Sequence, residues 1–188
     1  MKYIRYIIIN TILLLTFIII LIDISYHNYG RLFTNLLVIP TMFIPYLFDK
    51  TIFKLEEKEL LLYYIFIFIA QFLGSIVNLY NYVWWFDLFA HFLSGIFGYM
   101  LSIFILHRLK LYNKNNYLFN ILFSFGLLFL IAGVWEIIEY LTDIIFNSNL
   151  QHHLDTGVKD TMEDIIIAFF GGVIAHLSKV TIDINSKL

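Results

Sequence analysis

Eight side chains have the types and spacing to do chemistry: Asp87, His91, Glu136, Glu139, Asp143, Asp155, Asp160 and Asp164. Glu136, Glu139 and Asp143 stand at i, i+3 and i+7, which puts them on one face of a helix. Asp160 and Asp164 repeat the arrangement at i and i+4, and Asp87 and His91 share that spacing upstream. Many oxygen donors with one nitrogen donor suit a hard or borderline divalent cation such as Mg²⁺, Mn²⁺, Fe²⁺ or Zn²⁺. Without a cation, clustered carboxylates repel and some must take up protons. All eight are therefore candidate metal ligands, and His91, Glu139 and Asp160 are the candidates for acid–base work. His91 reads either as a ligand oriented by Asp87 or as a proton carrier. Two other readings stay open: a proton relay or ion pathway, and a structural polar network between helices.

The elements that must position these groups follow from composition. The 188 residues are 61% hydrophobic, 19% aromatic and 14% charged, against about a quarter charged in a soluble domain. This is an all-α, polytopic membrane bundle. Acidic groups within a hydrocarbon layer are costly and mark a polar interior by default. Six apolar segments are expected, at 3–22, 32–48, 60–79, 86–106, 118–142 and 161–178. The second is the shortest and carries Pro40 and Pro45, so a kinked or re-entrant segment is a competing reading. The first follows Lys2 and Arg5 as a signal peptide would. It lacks a small-residue cleavage site and is long enough to span, so it reads as a retained helix. No repeat or linker divides the chain, and residues 1–188 read as one membrane domain.

Positive charge orients the bundle, because Lys and Arg collect in short cytoplasmic loops. Ten of the twelve basic residues agree with both termini being cytoplasmic; Arg31 and Lys159 fall on the other side. Counting helical rise from the cytoplasmic ends, Asp87, His91, Glu136, Glu139, Asp160 and Asp164 lie between roughly 21 and 31 Å along their helices. In a hydrocarbon core about 30 Å thick, that is one level near the outer surface. Tyr80, Tyr82, Trp84 and Trp85 read as an aromatic belt at that surface. His107 and His176 fall at the inner side, outside the site; Asp23 and His27, in the first outer loop, are placed by no pattern.

Small residues invite close helix approach, and Ser94, Gly95, Gly98, Gly126, Gly133, Gly171 and Gly172 are read this way. The polar loop at 146–159, with His152 and His153, reads either as a lid bringing Asp155 and Thr156 into the cluster or as a solvated turn. Asp160, with Glu163 three residues on, has the pattern of an N-cap. No cysteine is present, which excludes disulfides, thiolate metal sites and cysteine nucleophiles. Hydrolase nucleophile motifs, phosphate-binding glycine loops and nucleotide fingerprints are also lacking, and nothing points to nucleic acid.

Glu-x-x-Glu on one helix and Asp-x-x-x-His on another loosely resemble the ligands of carboxylate di-metal bundles, although Glu139 stands where that signature has histidine. The stretches FDLFAHFLSG, VWEIIEYLTD and LDTGVKDTMEDIIIAFFGG resemble the YjdF-type family of bacterial multi-pass inner-membrane proteins, over about residues 60–178. The resemblance implies a bacterial cytoplasmic (inner) membrane location. It also implies a shared polar set of Asp87, His91, Glu136, Glu139, Asp155, Thr156, Asp160 and Gly171 or Gly172, without lending an activity. The expected functions are a metal-dependent enzyme acting on a lipid or lipid-linked substrate, an ion- or proton-coupled transporter, and a non-catalytic interaction protein.

Overall fold

The computed structural model describes residues 2–151 and 153–185, and every regular element among them is helical. In chain order these are α1 (Lys2–Ser25), α2 (Tyr29–Leu47), α3 (Glu57–Ile67), a π-helical segment (Phe68–Ile76), α4 (Leu79–Tyr82), α5 (Phe86–Arg108), α6 (Tyr117–Phe146), α7 (His153–Thr156) and α8 (Lys159–Asn185). Five stretches are long and apolar enough to cross a membrane: Tyr6–Ser25, Glu57–Ile76, Phe86–Arg108, Tyr117–Phe146 and Lys159–Lys179. The sixth expected segment is a helix whose apolar part, Arg31–Leu47, is shorter than the other five. The chain divides into two compact units: Met1–Asp87 with Thr142–Ser148, and Leu88–Leu141 with Asn149–Leu188.

In the first unit, Pro40 and Pro45 do not interrupt α2. Proline removes the N–H that would bond the carbonyl four residues back, which for Pro45 is that of Thr41. Tyr63 of α3 donates its hydroxyl to that carbonyl, and Tyr64 donates to the carbonyl of Met42. The Tyr63 hydroxyl thus takes over the bond that the Pro45 ring denies. Asp23 lies inside α1 rather than in a loop, and is buried. It accepts from Asn35 Nδ2 at 2.6 Å and lies 3.7 Å from Arg31 Nε.

α3 opens on a reciprocal capping box between Glu56 and Glu59 and then widens into the π-helix. Two carbonyls of that segment find partners outside it: Ala70 accepts from Tyr80 Oη at 2.7 Å, and Ile76 accepts from Arg31 at 3.0 Å. The Tyr80 ring occupies the space that a side chain at Gly74 would need. Tyr80 is therefore a packing residue, while Tyr82 and Trp84 are exposed as a belt requires.

In the second unit, each long helix buries one stripe. On α5 it runs Ala90, His91, Gly95, Gly98, Tyr99, Ser102 and Leu106; on α6, Asn120, Ser124, Leu128, Ala132 and Glu136; on α8, Asp164, Ala168, Gly171 and Gly172. These positions recur every three to four residues, some as adjacent pairs, along one face of an α-helix. The middles of the stripes are small or apolar, and Tyr99, Leu128, Ala132 and Ala168 form a common core. A Cβ on Gly95 would lie 1.9 Å from the Ala168 carbonyl oxygen, and one on Gly171 would lie 2.1 Å from that of Phe92. α5 and α8 therefore touch backbone to backbone, the approach that small residues permit between membrane helices. Gly172 and Gly98 meet Leu128 of α6. Gly126 and Gly133 face open space, so close approach does not account for them.

Candidate metal centre

The Gly95–Ala168 crossing decides what happens one helical turn away. His91 is four residues before Gly95 and Asp164 four before Ala168, so the two side chains project from adjoining turns of parallel, touching helices. His91 Nε2 lies 3.9 Å from Asp164 Oδ2. α6 runs antiparallel to both and brings in Glu136, whose Oε1 lies 4.0 Å from the same nitrogen. Only 6% of His91, 5% of Glu136 and 2% of Asp164 is exposed. α5 runs unbroken through Asp87, one turn before His91, and single donor atoms from Asp87, His91 and Asp164 lie within 4.8 Å of one another.

These separations are too long for hydrogen bonds, which fall near 2.7–3.2 Å. Two ligands about 2.1 Å from one cation lie about 3.4 Å apart at a tetrahedral angle and about 4.2 Å apart when opposed. The gaps of 3.9 and 4.0 Å fall inside that span. Glu136 Oε1, fully enclosed, has no hydrogen-bond partner. A donor set of one imidazole and several carboxylate oxygens matches borderline and hard divalent ions.

The two basic residues expected on this side are engaged with other carboxylates. Lys159 pairs with Glu163 at 3.5 Å on the exposed side of α8, and Arg31 stands by Asp23. Each uncompensated charge deep in a bilayer costs at least about 2.5–3.5 kcal/mol. Two buried carboxyl groups around one imidazole are accommodated by taking up protons or by holding a cation.

The remaining expected residues are placed differently. Glu139 accepts from Trp135 Nε1 at 2.8 Å along its own helix. Asp143 is buried and accepts from Ser148 Oγ at 2.7 Å. Asp155 is exposed and accepts from Asn149 Nδ2 at 3.1 Å, while Thr156, also exposed, closes the single turn of α7. Asp160 is half-buried in the first turn of α8, which starts at Lys159, so it is not the residue before the helix that an N-cap must be. His152, along with the side chain of His153, lies outside the described residues.

Sequence reasoning missed Gln151. This residue sends its side-chain amide to the Glu136 carbonyl at 3.1 Å, to Glu136 Oε2 at 3.2 Å and to Thr161 Oγ1 at 3.3 Å. The available signal was an amide donor, one of three in the loop between two carboxylate-bearing helices; the neighbouring histidines drew the reading instead. His176, expected outside this cluster, is no idle residue. Its Nδ1 lies 2.6 Å from Tyr99 Oη and its Nε2 lies 2.6 Å from Tyr117 Oη.

A family model described as "Predicted membrane protein (DUF2238)" matches residues 6–183. The chain belongs to the DUF2238 family. Its five apolar spans agree with that description, and the match runs through α5, α6 and α8. No curated protein and no solved structure matches this DUF2238 chain.

Proposed function

We propose that this membrane protein binds a divalent cation through Asp87, His91, Asp164 and Glu136, and uses it to act on a lipid or lipid-linked substrate. The observation that carries the reading is the set of donor atoms from Asp87, His91 and Asp164 within 4.8 Å, two of those residues being buried. A cation held by these residues would supply Lewis-acid activation of water as a nucleophile. Glu139 and Asp160, on the same two helices as Glu136 and Asp164, are the candidates to move protons. The orientation with both termini cytoplasmic, the second segment as a sixth span and the bacterial inner-membrane location belong to this proposal. They rest on the distribution of Lys and Arg and on the resemblance of the polar stretches. In that orientation the site lies at the level of the outer leaflet.

An ion- or proton-coupled transporter is the second reading, favoured by the Tyr99–His176–Tyr117 contacts further along the same three helices. Leu128, Ala132 and Ala168 are packed together in the section between, and this apolar plug favours the enzyme. The deciding experiment is elemental analysis of protein purified in mild detergent, with thermal unfolding before and after a chelator. About one divalent ion per chain is expected, with chelation lowering the unfolding temperature of the wild type and leaving Asp164→Asn unmoved. Metal-free protein indifferent to both chelator and added cation would sink the proposal. Uptake of the ion by proteoliposomes, abolished by Glu139→Gln, would select the transporter.

A further inference from the structure

We infer that Gln151 is a positioning residue for the metal centre, acting through Glu136; this rests on the cation-binding reading above. Glu136 has two carboxylate oxygens in different surroundings. Oε2 accepts from Gln151 Nε2 at 3.2 Å. Oε1 is buried without a hydrogen-bond partner and lies 4.0 Å from His91 Nε2.

A carboxylate free to rotate about its last torsion presents its oxygens interchangeably, and that torsion is broad and two-fold. The Gln151 amide removes the freedom. By also reaching the backbone carbonyl of Glu136 and Thr161 Oγ1 at the start of α8, it ties its own position to both helices that carry the ligands. One oxygen is thereby committed to the amide and the other is held toward the imidazole. Hydrogen-bond partners of ligating carboxylates commonly set affinity in this way, by 10–100-fold.

Glutamine is suited to the task where glutamate is not. Its amide donates, whereas a carboxylate at 151 would accept only and would repel Glu136.

Co²⁺ serves as the probe, because its visible absorption reports the ligand geometry as well as occupancy. Full-length protein in detergent is titrated as wild type, Gln151→Ala, Glu136→Ala and the double variant. Gln151→Ala is expected to weaken Co²⁺ binding about 10–100-fold and to change the band shape. In the Glu136→Ala background the same change is expected to cost less than about 2-fold, because the residue through which Gln151 acts has gone. Gln151→Glu keeps the side chain's length and is expected to behave like Gln151→Ala or worse, which covers the case in which the alanine variant does not fold. An equal loss in both backgrounds, or wild-type affinity and spectrum in Gln151→Glu, overturns the inference while leaving the cation site standing. Wild-type protein that does not bind Co²⁺ removes the cation reading, and the inference with it.

Discussion

His91 and His176 each stand where α5, α6 and α8 meet, and their surroundings are opposite. His91 faces two carboxylates at 3.9 and 4.0 Å; His176 is held between two tyrosine hydroxyls at 2.6 Å. At His176 both ring nitrogens have a partner from the chain itself, as a neutral imidazole with one donor and one acceptor nitrogen can arrange. At His91 two carboxyl groups stand beside the ring, and one enclosed oxygen, Glu136 Oε1, has no hydrogen-bond partner. The same three helices therefore build a finished, tyrosine-bridged junction at one level and a carboxyl-lined one at another.

The comparison breaks most directly at the imidazoles. His91→Ala is expected to reduce cation affinity by more than 100-fold, or about 2.7 kcal/mol, as read by metal titration of the purified protein. His176→Phe should leave that affinity within about 3-fold. Similar losses in the two variants would erase the distinction.

The next largest effect concerns the crossing that sets the gap. Gly95→Ala places a methyl group where the Ala168 carbonyl now sits, and overpacking of this kind costs about 1–3 kcal/mol. Thermal unfolding should show that loss even in chelator, together with weaker cation binding, because α5 must move away from α8. Gly126→Ala, which meets nothing within 4 Å, is expected to be neutral or to stabilise by up to about 1 kcal/mol through helix propensity. If both glycine variants unfold alike, the close crossing does not determine stability.

The smallest effect is expected at the finished junction. Tyr117→Phe removes one hydrogen bond to His176, worth about 0.5–1.5 kcal/mol, and should leave the chelator-induced shift in unfolding temperature unchanged. A variant that lost that shift would join the two junctions into one functional unit.

Much of this was legible in the sequence because helical period and hydropathy are local properties. The i, i+4 spacing of Asp87 with His91 and of Asp160 with Asp164 placed polar stripes on α5 and α8, and Gly95 and Gly171 marked their approach. What spacing could not give was rotation. Glu136 and Glu139 share a helical face by count, yet one reaches His91 and the other turns to Trp135 of its own helix. Asp143 and Asp155 were grouped with the site by charge, but each has a nearby donor, Ser148 and Asn149 respectively. Such local side-chain bonds depend on loop conformation, which hydropathy does not encode. Gln151 was hidden for a related reason: an amide in a polar loop has no periodicity to betray which carboxylate it will meet.

With no side-chain atom between them, the backbones of α5 and α8 at Gly95 and Gly171 act as a rigid gauge. Any room for an ion beside His91 would then be measured by main chain, which cannot flex as a lysine or methionine stem would. Preference among ions of different radius would accordingly be written in glycine and alanine, at positions that never touch the ion.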